Sequence, residues 1–467
     1  FRYEENRDKK AVFDRDQDHE AARKVADETI VLLKNDGILP LSEDKKVAFI
    51  GKYAQKPRYQ GGGSSHINSF RVSSALEAVS HMAKASENVT YAEGFSVEQD
   101  VYDEALAAEA IEAARRADKA VVFAGLPESF ESESYDRSHM RLPDCQNRLI
   151  AEIIKVQPNT VVVLHNGSPV EMPWLSDVKG LMEAYLGGQA VGEAEVNLLY
   201  GKVNPSGKLA ETIPCRLADN PSYLTFGDSE KTVYSEGVFV GYRYYDAREM
   251  QVAFPFGYGL SYTTFAYSNL RLDRQEITDQ ETLTVSVDIT NTGNVAGKEV
   301  VQLYIRDNTR ACRRPDKELK GYEKVTLEPG ETKTVTMMLD YRSFAWYNTD
   351  LKDWYAASGK YDVMVGTSSR QICLSASVQI NSSIRLPLKL DLNTTLAELS
   401  TDDRTVKYGE YLKNKSYAFF GQYGGDEALS GDVKYALVDS MPMRTLVSFG
   451  ICTKEEVLDV LKKLMEL

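Results

Sequence analysis

Between residues 45 and 201, short apolar runs take turns with amphipathic stretches, and this alternation constrains the fold more than any other feature of the chain. KKVAFIG (45–51), NVTYAEG (88–94), KAVVFAGL (119–126), NTVVVLH (159–165) and GLMEAYL (180–186) read as buried strands. ALEAVSHMA (75–83), EALAAEAIEAARRA (104–117), CQNRLIAEIIKV (145–156) and AVGEAEVNLLYG (190–201) carry helical spacing. Strands and helices alternating at these intervals imply right-handed βαβ crossovers and a mostly parallel sheet. The spacing predicts an α/β sandwich domain over 41–255. The preceding segment, 1–40, reads as a linker with one amphipathic helix over 14–34, with Asp18 as its N-cap and Ala22, Val25, Ala26, Ile30 and Leu33 on its apolar face.

From residue 263 the helical period disappears. TLTVSVDITNTG (282–293), EVVQLYIRD (299–307), TKTVTMMLDY (332–341) and KYDVMVGTS (360–368) alternate apolar and polar residues, with NTG, EPG and SGK as turn signals between them. These strands predict an antiparallel β-sandwich over 256–387. The cysteines form no paired framework, so a fibronectin-type sandwich is expected rather than an antibody-type one. The rest, 388–467, is a C-terminal extension, partly helical; Thr453 and Glu456 make a capping box for its last helix. The expected fold class is thus α/β plus all-β with a small helical C-terminal segment, and 467 residues accommodate about three such domains.

Composition narrows the function. The net charge is −14, with no basic face of the kind nucleic acid requires. No apolar run approaches the ~18–20 residues that span a bilayer, so no membrane partner is expected. Five scattered cysteines without a CxxC pair give no zinc site or disulfide scaffold, and a reduced, cytoplasmic setting is expected. Asp14, Asp16 and Asp18 lack the Gly and Glu of a calcium loop. GKVNPSGK (201–208) has one residue too many for a phosphate loop, and Leu follows its lysine. No HExxH or GxSxG is present. No metal and no cofactor is called for.

Two segments have the composition of a site. GLPESFESESYDRSHMRLP (125–143) follows an apolar strand and carries Glu128, Glu131 and Glu133 beside Phe130 and Tyr135. Ligands of open α/β sheets bind beyond the carboxyl ends of strands. A carboxyl near dry aromatic surface has a raised pKa, as a general acid requires; a solvated acidic loop is the plainer alternative. GKYAQKPRYQGGGSSHIN (51–68) offers three consecutive glycines, with Arg58, Gln60, Ser64, Ser65, His66 and Asn68, a set that suits a polyol better than a phosphate. Here the plainer alternative is a flexible turn.

Taken together these phrases resemble glycoside hydrolase family 3. ARKVADETIVLLKNDGILPL (22–41) looks like the family's linker into its second domain, and KPRYQGGGSSHIN like that domain's glycine-serine loop. GGQAVGEAEVNLLYGKVNPSGKLAETIP (187–214) and YSEGVFVGYRYYD (234–246) are specific family phrases. FPFGYGLSYTTF (254–265), NTGNVAGKEVVQLYI (291–305) and RPDKELKGYEKVTLEPGE (314–331) match its fibronectin type III domain. The resemblance is strongest to the bacterial β-glucosidase B type.

The resemblance implies a retaining β-glycosidase, an exo-acting β-glucosidase acting on an oligosaccharide or aryl β-glucoside. The family's acid/base lies in an E-G-Y-D-R pattern, here Glu133-Ser134-Tyr135-Asp136-Arg137, so the role falls on Glu133, with Glu131 as second candidate. Ser134 stands where the pattern has Gly, and Ser disfavours a positive φ. Asp136 and Arg137 are expected to pair and shape the loop; Arg58, Ser64 and Ser65 are the implied sugar contacts. The family's nucleophile is an Asp of an SDW-type motif on an N-terminal TIM barrel, and no SDW occurs here. The chain therefore reads as the portion following the barrel, with that barrel as its partner, inactive alone, and with room for a homo-oligomer. The competing readings are a non-catalytic carbohydrate-binding or interaction module and a structural subunit of a split enzyme.

Overall fold

A computed structural model describes residues 13–227, 230–423 and 431–465; the opening residues FRYEENRDKK lie outside them. The described chain divides into two units, the first reaching Ser383 and the second beginning at Ile384.

The first unit starts with helix α1 (Arg15–Thr29), capped by Asp14, whose carboxylate accepts from the amides of Asp16 and Gln17. The single helix expected over 14–34 is corrected here in two respects. Its cap is Asp14, four residues earlier than the expected Asp18, and it ends at Thr29. Ile30 turns extended, and Val31–Asn35 forms strand β1. The β-branched pair Ile30-Val31 favours extension, and the strand gains an antiparallel partner, Val31 opposite Glu183. Burial of Val31, Leu32 and Leu33 at 0–1% exposure needs an element covered on both faces, which a sheet strand supplies.

The α/β layer continues with β2 (Val47–Ile50), β3 (Val89–Ala92), β4 (Lys119–Gly125), β5 (Thr160–His165) and β6 (Gly180–Glu183). Helices α2 (Ala75–Ser80), α3 (Glu104–Arg116), α4 (Asp144–Val156) and α5 (Val191–Leu199) accompany them. The sheet order is β1-β6-β5-β4-β2-β3, parallel apart from the β1 edge. β2, β5 and β6 are buried at every position, as expected for parallel strands with helices on both faces. The strand order reverses between β2 and β4, both of which pair in parallel register. At such a reversal the loops leaving the two strands diverge and open a crevice, the usual ligand position of a doubly wound sheet. The loops leaving β2 and β4 here are 51–68 and 126–143, the two segments that composition singles out.

Eight strands build the sandwich: β7 (Phe265–Leu272), β8 (Glu276–Thr278), β9 (Leu283–Asn291), β10 (Gly297–Asp307), β11 (Glu318–Leu327), β12 (Thr332–Leu339), β13 (Gly359–Gly366) and β14 (Ile372–Asn381). They form two facing sheets, β8-β14-β13-β10-β11 and β12-β9-β7. β9 alternates buried and half-buried positions along its whole length, so Val285, Val287 and Ile289 meet Val301, Leu303, Val363 and Val365 in the core. One pair departs from the antiparallel pattern: β8 runs parallel to β14. Glu28 on α1 is held by both Lys298 and Lys324 of the sandwich.

The second unit is helical. Its core gathers Leu396, Leu412, Val438, Met443, Leu446 and Leu461. The expected capping box is present: the Thr453 amide donates to Glu456 at 2.8 Å, and the Glu456 amide to Thr453 Oγ1 at 3.1 Å.

Candidate active site

The crevice loops touch each other closely. After β4, the Leu126 amide donates to His165 O at 3.0 Å, and the Gln146 side chain holds both the amide and the carbonyl of Gly125. The chain then folds on itself, with the amides of Phe130 and Glu131 donating to Pro127 O. Ser132 and Tyr135 pair across a two-residue turn made by Glu133 and Ser134. Ser134 has φ +80°, the value a type II turn needs at its third position and one that glycine adopts without strain. The Ser-for-Gly departure thus stores backbone strain of about 1 kcal/mol beside the candidate acid. The Tyr135 hydroxyl closes the turn on Glu128 O.

The glycine loop forms the other wall. Gly63 has φ +81°, and a Cβ there would stand 2.5 Å from Glu133 Cβ; at Gly62 it would stand 2.7 Å from Ser132 Oγ. Only bare backbone lets the loops approach this closely. The contact delivers the Ser64 amide to Glu133 Oε2 at 2.6 Å. Ser64 and Ser65 are exposed on the rim, and Ser65 Oγ donates to Gly62 O.

Arg58 does not join them. It is 7% exposed, and its Nη1 donates to Leu126 O and Glu131 Oε2, both at 2.7 Å, while Nη2 donates to Glu131 O at 2.8 Å. Glu131 also accepts from the Gly167 amide at 2.8 Å and from Ser168 Oγ, both beyond the end of β5. The expected Asp136–Arg137 pair does not form: Arg137 turns inward and donates to Pro169 O at 2.8 Å, while Asp136 faces solvent.

The electrostatics reverse one expectation. Glu133 is exposed, and hydrogen bonding from Ser64 holds its carboxyl below the ordinary value. Burial raises it too little to offset that bond, and Phe130 packs toward the α/β core. Burial would raise Glu131, but the bonds from Ser168, Gly167 and Arg58 outweigh it and leave that carboxyl lowered as well. The raised carboxyls lie deeper. Burial pushes Glu183 up to about 8; burial and then the Glu131 charge push Glu211 up to about 7. Glu195 is raised by burial and lies 3.1 Å from His165 Nε2, which burial lowers to about 4. Composition passes over all of these groups, although Glu183 gives one sign: a carboxylate inside a fully apolar strand word, GLME.

Two cavities adjoin the loops. One of about 660 Å³ is lined by Tyr53, Tyr59, Gln60, His66 and Glu128. A larger one, about 770 Å³, lies behind the Glu131 anchor against the sandwich, with Tyr185, Glu211, Phe256, Gln302 and Tyr322 in its wall. Among the described residues no cluster of His, Cys, Asp and Glu is arranged to hold a metal, and no helix is long and apolar enough to cross a membrane.

A carboxyl at the switch point on a glycine cradle, followed by a sandwich, is a layout with known counterparts. Residues 30–262 match the glycosyl hydrolase family 3 C-terminal domain, and 299–369 match the fibronectin type III-like domain. The fold is therefore that of a family 3 glycosyl hydrolase C-terminal domain followed by a fibronectin type III-like domain. The chain belongs to glycoside hydrolase family 3. It is 48% identical over 449 residues to the thermostable β-glucosidase B of Acetivibrio thermocellus, covering 96% of this chain and 59% of that protein. It is 42% identical over 381 residues to the exo-α-(1→6)-L-arabinopyranosidase of Bifidobacterium longum, covering 79% of this chain and 50% of that one. The solved family 3 β-glucosidase of Bifidobacterium adolescentis superposes with a TM-score of 0.79 at 41% identity, covering 86% of this chain and 58% of that structure. The chain thus spans between half and three fifths of the length of these relatives.

Proposed function

We propose that this chain is the acid/base half of a retaining β-glucosidase that releases terminal β-D-glucosyl residues, with the nucleophile supplied by an N-terminal TIM barrel. The observation that carries this reading is the Glu133 carboxyl: exposed, fixed on a tight turn, and set at the mouth of the switch-point crevice. In the reaction Glu133 protonates the glycosidic oxygen while a carboxylate attacks the anomeric carbon. It then takes a proton from the water that releases the sugar. In retaining enzymes the two carboxyls stand about 5–5.5 Å apart, so the barrel carboxylate must come close to Glu133.

That approach also supplies what the isolated loop lacks. A second negative charge nearby, together with exclusion of water, raises a carboxyl pKa, turning a lowered Glu133 into a proton donor. Ser64 and Ser65 lie on the same rim and are offered to the sugar hydroxyls. A run of exposed apolar side chains, Leu224, Phe226, Tyr234, Val238 and Val240, provides surface that a covering domain would bury.

The test is direct. The purified 467-residue chain should not hydrolyse an aryl β-glucoside, and supplying the barrel segment should restore turnover. Hydrolysis by the chain alone, free of host enzymes, overturns the proposal.

A further inference from the structure

We propose that Arg58 and Glu131 form a positioning clamp that sets where the Glu133 carboxyl stands. The inference rests on Glu133 as acid/base and gives the two neighbouring candidates a different task. The Arg58 guanidinium spans the base of the loop: Nη1 holds Leu126 O at the strand exit and Nη2 holds Glu131 O five residues later. The planar fork makes both bonds at once, which a lysine ammonium on a flexible stem does not reproduce. The Glu131 carboxylate then ties this assembly to a third segment, through the Gly167 amide and Ser168 Oγ. Three loops, leaving β2, β4 and β5, therefore meet on one part-buried ion pair, with Glu131 two residues before Glu133 and Arg58 three residues before the first of the three glycines.

These bonds leave Glu131 little scope for proton transfer. Oε2 is occupied by Arg58 and Gly167, and Oε1 by Ser168. Glu133, by contrast, has Oε2 on the Ser64 amide and stands in solvent. The loop is a fixed arm: its root is clamped, its tip is closed by the Ser132–Tyr135 pairing, and its flank rests on Gly62 and Gly63.

The first test uses the 467-residue chain and requires no activity. In E131Q and in R58K, hydrogen exchange at the Ser64 amide should speed up about ten-fold or more, because the loop no longer presents Glu133 to it. Amides of β4 and β5 should keep their protection, showing that the sheet is intact. S168A, which removes one bond from the clamp, should give a smaller change in the same direction and serves if E131Q does not fold. Unchanged Ser64 exchange in all three variants overturns the clamp.

The second test uses the complete enzyme. E131Q should lower kcat by about 10²-fold with little change in KM, as misplacement of a reacting group does, and azide should not rescue it because Glu133 is still present. E133A should be rescued by azide. Rescue of E131A in place of E133A would overturn both the clamp and the acid/base assignment. Altered Ser64 exchange without any glycosidase activity would leave the clamp standing and sink the enzymatic reading alone.

Discussion

Glu133 and Glu183 stand at the same carboxyl edge of one sheet and are driven in opposite directions. Glu183 ends β6 with 1% of its surface exposed; it is pushed up to about 8 by burial and bonded to Asn166 and the Tyr185 amide. Glu133 sits in solvent and is lowered by the Ser64 amide. Residue type does not separate them; dehydration does. The buried end of β6 holds the Glu183 carboxyl in the protonated form near neutral pH, whereas the exposed loop after β4 holds the Glu133 carboxyl below its ordinary value. A protonated donor at the mouth therefore needs a wall that these domains do not provide, in keeping with the proposed barrel.

The contrast can be broken most forcefully at the mouth. In the complete enzyme, E133A should lose about 10²–10⁴-fold in kcat on substrates with poor leaving groups, the range for general acid catalysis. The loss should be smaller on activated aryl glucosides, and added azide should restore part of it. Equal losses on both substrate classes would assign Glu133 another role.

The buried carboxyl is tested by stability against pH. In the fold Glu183 keeps its proton to about 8, while in the unfolded chain it ionises near 4.3. Its contribution is therefore fully present below about pH 4 and is lost as pH rises toward about 8, where the native group also ionises. E183Q keeps a neutral side chain and should gain on wild type by up to about 1.4 kcal/mol per pH unit across that window, read from chemical denaturation at several pH values. Glu131, whose carboxyl is lowered, acts in the opposite sense: its contribution is fully present above its unfolded pKa and is lost as pH falls through the folded one. A pH-independent difference between E183Q and wild type would mean that Glu183 is ionised in the fold.

Smaller effects sharpen the boundary between the two regions. Gly63→Ala would place a Cβ 2.5 Å from that of Glu133 at a φ of +81°. It should cost about 1–2 kcal/mol of stability and displace the acid, seen as faster exchange of the Ser64 amide. Ser134→Gly relieves the φ of +80° and should raise the unfolding free energy by about 0.5–1 kcal/mol. A loss of stability on that change would show that the serine side chain makes a contact worth more than the strain it carries.

The parts legible in the sequence are those set by local period. The strand words 45–51, 119–126 and 159–165 are apolar on both faces, and only a covered parallel strand suits them. The start of β1 was less legible, because VLLK continues the helical period of α1 and only pairing with β6, about 150 residues away, selects the strand. The site was legible as two loops, but not in its electrostatics. Whether Glu131 or Glu133 is free depends on Arg58, Ser64, Gly167 and Ser168, and Ser64 lies 69 residues from Glu133 in the chain. Aromatic neighbours in sequence suggested a dry carboxyl; in space the dry carboxyls are Glu183, Glu195 and Glu211.

The strand reversal between β2 and β4 has an evolutionary consequence. Everything proposed to meet the sugar hangs on connections outside the hydrogen-bonded ladder, and doubling the length of such a connection costs only about 0.6 kcal/mol in closure entropy. Descendants of this domain can recut the crevice by insertion or deletion at 61–66 or 127–135 while Val47–Ile50 and Thr160–His165 stay unaltered, so that preference for a new aglycone is open to selection without refolding the scaffold.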